Sequence, residues 1–318
     1  MLTAAQMIRE ASEPSFSFEL LPPLKGNSIK RVFNTVDALK EFKPLFVNIT
    51  SHRDEVYQHD EESGLVERLV FRKRPGTVAV AAAIKHRYGL RVVPHIICNG
   101  FTKSETEYAL IDLNFLGIHD LLFVRGDSHY QRSHFQSRDG SHKHTLDLIH
   151  QVTELNKGHF LDSTATEAFE TPFSFGVAGY PEKHVEAPDM DSDVYWLKQK
   201  VDAGAEYVIT QMFFDNKRFF DFVLRCRKAG IEVPIVPGLK PVTTKDQLTV
   251  LPDVFNIQFP SELAAELRRC KTDEDAAMVG VEWSVCQAKE LLANGFNLIH
   301  FFSMMATGSV SKIARQIY

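Results

Sequence analysis

A chain of 318 residues with a formal net charge of -5 has no broad basic surface, which excludes a general nucleic-acid binder. Hydrophobic residues at 44% and charged residues at 24% give the profile of a soluble globular protein with a sizeable core. No apolar run reaches membrane-span length, and Met1 to Glu13 lacks the apolar stretch of a signal peptide, so a cytoplasmic protein is expected.

Residues 3 to 12 read as a short leading helix. In the next stretch Phe16, Phe18 and Leu20 alternate with Ser17, Glu19 and Leu21, a strand signal. Pro22-Pro23 stops the strand, because proline cannot donate to a sheet ladder. Glu19 is the odd residue there. Burying a carboxylate in an apolar run is costly unless it is paired or neutralised, and desolvation would raise its pKa towards that of a proton donor near neutral pH. A solvent-facing Glu on an alternating strand is the other reading.

Gly26-Asn27-Ser28 caps a helical pattern through Ile29, Val32, Phe33, Val36, Leu39 and Phe42, which Pro44 ends. Leu45 to Ile49 is a second strand, stopping at Thr50. Residues 52 to 76 are charged and irregular and read as a long surface loop with one turn of helix. Thr77 to Tyr88 is Ala-rich and helical, and Arg91 to Cys98 is a third strand holding His95. Ser104 to Leu116 is a helix with Ser104 and Glu107 as its capping box, closed by Gly117. Leu121 to Val124, the fourth strand, runs straight into Arg125-Gly126-Asp127. His129 to Ser141 is polar loop, Thr145 to Leu155 an amphipathic helix, and residues 156–172 a Thr-, Glu- and Ser-rich surface insertion. Phe173 to Ala178 is a fifth strand and Tyr207 to Thr210 a sixth, with helices from Asp193 to Ala203 and from Asn216 to Ala229. Ile235 to Gly238 is a seventh strand, followed by a short helix over 244–251 and a helical pair, Pro260 to Arg269 and Asp273 to Asn294. Leu298 to Phe302 is the eighth strand, and a last helix begins near Ser309.

Eight strand–helix alternations without a composition break predict one (β/α)8 TIM barrel with extra helices, a single domain over 1–318. A doubly wound open sheet is the runner-up, weakened because no G-x-G-x-x-G or G-x-x-x-x-G-K-[ST] follows the first strands. In such a barrel the functional groups gather at the C-terminal ends of the strands. Those positions hold Glu19, Thr50, His95, Arg125, Gly126, Asp127, Tyr180, Gln211, Pro237-Gly238 and Phe302. Each has a plain alternative: Asp127 as a turn residue after Gly126, His95 as a satisfied core histidine, Gln211 as a buried amide. His129, His134, His142 and His144 lack metal-ligand spacing, so no metal is expected. Cys98, Cys226, Cys270 and Cys286 form no C-x-x-C pair and read as reduced, mostly buried thiols.

Phe18-Glu19 with Pro22-Pro23, Val92-Val93-Pro94-His95, Arg125-Gly126-Asp127, Tyr180-Pro181-Glu182 with His184, Lys200 to Ala205, and Ile209-Thr210-Gln211 with Phe213-Phe214-Asp215 follow one another in this order. On these residues the chain resembles the short bacterial 5,10-methylenetetrahydrofolate reductases from about residue 14 to 303. The resemblance implies a (β/α)8 barrel with FAD bound non-covalently at its C-terminal face. It implies reduction of methylenetetrahydrofolate to 5-methyltetrahydrofolate by a ping-pong mechanism, with NADH or NADPH as electron donor. It implies a homo-oligomer and no C-terminal regulatory domain; the charge and the short apolar runs already predict no nucleic-acid or membrane partner.

Carried over by residue, Glu19 is the general acid that protonates the departing folate nitrogen, and Asp127 lies close to flavin and pterin. Thr50, His95, Arg125, Gly126, His144, Tyr180, His184, Asp193 and Lys200 match FAD contacts. Gln211, Leu251 and Phe302 match contacts to the folate or the nicotinamide. The chain departs from the family where His144 stands for a frequent Tyr, Leu251 for a Phe in some members, and Trp196 for a polar residue. Phe302 to Ala306 replaces a stretch holding a Tyr and an Arg in some members, so the folate glutamate tail must find its cation elsewhere. Two other readings remain: a flavin-free one-carbon transferase on the same barrel, and a non-catalytic flavin- or folate-binding barrel.

Overall fold

Short apolar strands, each followed by at least one helix, leave two kinds of greasy surface to bury: a face towards the helices and a face towards the barrel axis. The computed structural model describes residues 2–53, 55–60, 66–126, 140–162, 167–304 and 306–318, with 55–60 and 66–70 described by their backbone alone. Its first half runs α1 (Ala4–Glu10), β1 (Ser15–Leu20), α2 (Lys30–Leu39), β2 (Val47–Ile49), β3 (Glu55–Asp60), β4 (Val66–Phe71), α3 (Thr77–Tyr88), β5 (Val92–Ile97), α4 (Lys103–Phe115), β6 (Asp120–Val124) and α5 (Thr145–Asn156). The second half runs β7 (Ser174–Gly179), α6 (Met190–Asp202), β8 (Tyr207–Met212), α7 (Asn216–Lys228), β9 (Ile235–Leu239), α8 (Gln247–Phe255), α9 (Ser261–Arg269), α10 (Asp273–Ala293), β10 (Leu298–Phe301) and α11 (Thr307–Ile317).

Eight parallel strands close into a barrel in the order β1-β10-β9-β8-β7-β6-β5-β2. These are the eight expected strands, in the expected closed arrangement. β3 and β4 are additional. They form an antiparallel hairpin within 52–76, where the sequence suggested loop and a turn of helix. Charged residues interrupt the apolar pattern there, which hides a strand signal.

Alternation along each strand divides the side chains. Phe16, Phe18, Leu20, Phe123, Val177 and Leu239 pack outwards against the helices. Phe46, Val93, Leu122, Tyr207, Ile209, Val236 and Leu298 fill the barrel interior. α1 plugs the N-terminal mouth: Ala4, Ala5 and Ile8 join that interior cluster, and the Ala4 amide donates to Asp120 Oδ1 at 2.6 Å. With the lower mouth filled, space remains at the C-terminal ends of the strands.

Two local details differ from the sequence reading. The helix after β5 has its capping box two residues earlier, at Thr102 and Glu105. Two overlapping Ser/Thr-x-x-Glu patterns compete there, and the first one wins. Residues 157–162 and 167–172 hold no helix or strand, but Phe160 and Phe169 meet edge-on, and Phe169 meets Phe173.

Candidate active site

A cavity of about 910 Å³ opens at the C-terminal ends of the strands. That lies in the upper part of the range of roughly 300–1,000 Å³ for small-molecule sites. Of the sequence-predicted residues, Glu19, Thr50, His95, Arg125, Gly126, Tyr180, His184, Gln211 and Phe302 line it. Nine residues from seven strand ends and the loops after them therefore converge on one space.

The floor is polar and buried. β1 pairs with β2 so that Glu19 faces Asn48, and both point inwards by the alternation above. Glu19 is 8% exposed. Its Oε2 lies 4.0 Å from His95 Nε2. Burial pushes His95 down to about 3, so the ring is neutral at pH 7 and the contact is not an ion pair. Asn48 Nδ2 donates to the same His95 Nε2 at 3.0 Å, as suits a neutral ring. On β10, His300 is fully buried and also held down to about 3 by burial. Its Nδ1 shares a 2.9 Å hydrogen bond with Ser17 Oγ, and its Nε2 has no partner among the described residues. At the end of β9, Lys240 is 4% exposed, and burial pulls its ammonium down to about 8 against the opposing pull of the Glu19 charge.

Asn48, His300 and Lys240 are the residues that reading the sequence missed. Each lies an even number of positions from a neighbour that points into the barrel: Asn48 from Phe46, His300 from Leu298, Lys240 from Val236. Pleat parity was the signal that could have found them.

One wall is built from β8 and β9. Ile209 pairs with Val236 but Met212 with Gly238, so β8 carries one extra residue. This bulge lets Ile209, Thr210, Gln211 and Met212 all reach the cavity. Gln211 Oε1 accepts from the Met212 amide at 2.9 Å, and Thr210 Oγ1 accepts from the Gly238 amide at 2.9 Å. A Cβ on Gly238 would stand 2.2 Å from Thr210 O and 2.5 Å from Phe302 Cε2, so only glycine lets the Phe302 ring lie there.

The adjoining wall, after β7 and β6, carries Arg125. Arg125 follows β6 and forms an ion pair with Glu186, while burial lowers its guanidinium from the ordinary value. Gly126 has a φ of 91°, a left-handed conformation that favours glycine. The Tyr180 and His184 rings meet edge-on at 4.7 Å. Burial first, then Arg125 and Lys200, push His184 down to about 4, so it too is neutral. Its Nδ1 accepts from the Glu186 amide at 3.2 Å, leaving Nε2 as the donor.

Four sequence-predicted positions are not brought into the cavity. Asp193 accepts from the His184 amide at 2.8 Å and lies with Lys200 behind Tyr180. Desolvation raises Asp193 and lowers Lys200. They steady the wall from behind. His144 is an exposed residue before α5, its amide donating to Asp147 Oδ2 at 3.0 Å. Leu251 packs into a core with Met212, Phe214 and Leu263, because α8 turns that face inwards; Val250 and Val254, on its other face, line the cavity. Asp127 lies outside the described residues, as do His129 and His134. Among the described residues no group of three or more His, Cys, Asp or Glu could hold a metal, and no helix is long and apolar enough to cross a membrane.

Comparison with known proteins adds an independent line. A family model described as methylenetetrahydrofolate reductase matches residues 4–318. The 5,10-methylenetetrahydrofolate reductases of Salmonella typhimurium and Escherichia coli are each 31% identical over 91% of this chain and 85% of theirs. Methylenetetrahydrofolate reductase (NADH) 1 of Arabidopsis thaliana is 27% identical over 93% of this chain, which spans 47% of that protein's length. Among solved structures, an uncharacterized protein from Clostridium thermocellum described as binding two copies of 5-methyl-5,6,7,8-tetrahydrofolic acid aligns with a TM-score of 0.56. It covers 98% of both chains at 13% identity, a likeness of fold alone.

Proposed function

Since the chain belongs to the methylenetetrahydrofolate reductase family, we propose that its barrel cavity binds FAD and reduces 5,10-methylenetetrahydrofolate to 5-methyltetrahydrofolate with NADH or NADPH. The observation that carries this reading is Glu19, a buried carboxyl on the floor of a ligand-sized cavity in a chain of that family.

The residues present fit the cofactor. A dinucleotide needs a cation and accessible main chain for its diphosphate, and Arg125 with Gly126 offers both. Thr50 and the Nε2–H of His184 supply neutral donors. The chemistry FAD supplies when bound is hydride transfer, first from the nicotinamide and then to the folate. The Arabidopsis thaliana relative is named for NADH, and either donor suits the reading.

The chain itself supplies the proton. Opening the folate's five-membered ring requires protonation of the departing nitrogen, and Glu19 is the group assigned to it. His95 is neutral and Asn48 uncharged, so no imidazolium at His95 disfavours the acidic form of the carboxyl; the cation whose charge couples to Glu19 is Lys240. Gln211, freed from the ladder by the bulge, and Phe302 are assigned to hold the pterin, and Asp127 to hydrogen-bond its N–H groups. Val250 and Val254 on the rim exclude water from one edge.

An absorption spectrum tests the reading. The purified protein should be yellow, should bleach when NADH or NADPH is added anaerobically, and should regain its colour with methylenetetrahydrofolate. A colourless preparation that FAD cannot reconstitute would contradict it.

A further inference from the structure

Lys240 stands where an apolar strand end would ordinarily carry no charge. β1, β10 and β9 are consecutive around the barrel, and Phe18, Phe301 and Leu239 share one register row. The next row is therefore Glu19, Phe302 and Lys240, and the Phe302 amide donating to Leu239 O at 2.9 Å carries the pairing up to it. Phe18, Phe301 and Leu239 face outwards, so the next row faces inwards. Two strand spacings separate the Glu19 and Lys240 main chains by about 10 Å, a gap that two long side chains pointing the same way can close. Glu19 and Phe302 line the cavity; Lys240 does not, and lies beside them within the wall. Among the described residues, the Glu19 charge is the one group that acts on the Lys240 ammonium beyond its own burial. Among the described residues, the other titratable groups near the pair are His95 on β5, 4.0 Å from Glu19, with His300 on β10 and His52 after β2 coupled to it. His95 and His300 are neutral at pH 7.

We propose that Lys240 is a positioning residue for the proton of Glu19: the two side chains share one proton, and Lys240 returns it to Glu19 when the cavity fills. The inference rests on Glu19 being the proton donor to folate. In water the ammonium–carboxylate form is favoured. When ligands replace water, separated charges become costly and the neutral pair gains. One N–H bond of Lys240 Nζ then breaks and one O–H bond of Glu19 forms, with no change in total charge and no electron transfer. The amine regains its proton from solvent after turnover. Burial already weighs against the Lys240 ammonium, so filling the cavity acts in the same direction, towards the neutral pair.

The test compares Lys240→Met, Lys240→Arg and Glu19→Gln in the FAD-loaded protein. Reoxidation of the reduced protein by methylenetetrahydrofolate is followed across pH, with reduction by the nicotinamide as control. An arginine stays charged and keeps Glu19 ionised, so Lys240→Arg should slow the folate step about 100-fold at neutral pH and move its alkaline limb down. A methionine removes the cation, so Lys240→Met should keep the step within about tenfold and move the limb up. Infrared difference spectra against Glu19→Gln, without folate, should show more protonated carboxyl in the Met variant and less in the Arg variant. A merely structural lysine gives the reverse rank, with arginine the better replacement. That result, or unshifted limbs and infrared bands, overturns the proposal. Should the Arg variant not fold, the Met variant's limb decides alone. Loss of folate reduction in Glu19→Gln alongside a wild-type Lys240→Arg rejects the role of Lys240 alone; full folate reduction in Glu19→Gln rejects the reading of Glu19 as well.

Discussion

Three neutral imidazoles, one ammonium and one carboxyl meet within a few strand ends, and their burial decides how each behaves. His95 and His300 are held down to about 3, against about 6.5 in an unfolded chain. Between those values the unfolded state binds protons that the folded state does not, so stability rises with pH there and is lost as pH falls from 6.5 towards 3. Urea midpoints should fall over that window, and His300→Gln should flatten the slope; an unchanged slope would remove His300 from the account. Gly238 sets a steric limit at the same floor. Gly238→Ala should cost about 1–3 kcal/mol by thermal melting, because Thr210 O and the Phe302 ring must both give way. A melting temperature equal to wild type would show that the wall yields freely. Glu19 was legible from the sequence because a carboxylate interrupts an apolar run before a double proline. Lys240 was not, since a lysine one residue past a strand reads as the return of solvent.

α8 shows how one helix serves two purposes. Its Leu251 face is core and its Val250–Val254 face is rim, with Val254 57% exposed. Leu251→Ala should therefore destabilise by about 2–5 kcal/mol. Val254→Ser should stay within about 0.5 kcal/mol in stability and instead raise the KM for folate. Equal effects of the two on melting would contradict this division. The sequence reading set this helix over 244–251, whereas it runs Gln247–Phe255, with Pro252 inside and Asn256 ending it in a left-handed conformation. Pro252 stands past the first turn, where its missing amide costs one helical hydrogen bond, and the helix continues only three residues beyond it. The β8 bulge was equally invisible: Ile209-Thr210-Gln211-Met212 carries no mark of an extra residue until β9 is laid beside it.

At the scale of the molecule the barrel was legible because buried parallel strands are short apolar runs, each bounded by Gly, Pro or polar residues. Which strand ends face one another depends on closure, and closure is what assembles the cavity. The same closure brings the first strand beside the last, so that Glu19 and Lys240, separated by most of the chain, come to share a row. In the proposed chemistry Glu19 passes a proton to folate and takes no part in the reduction by nicotinamide. The most direct measurement is stopped-flow kinetics of the FAD-loaded Glu19→Gln protein in its two half-reactions. Bleaching by NADH or NADPH at the wild-type rate, with reoxidation by methylenetetrahydrofolate slowed at least about 100-fold, is the expected result. Reoxidation at the wild-type rate would contradict it.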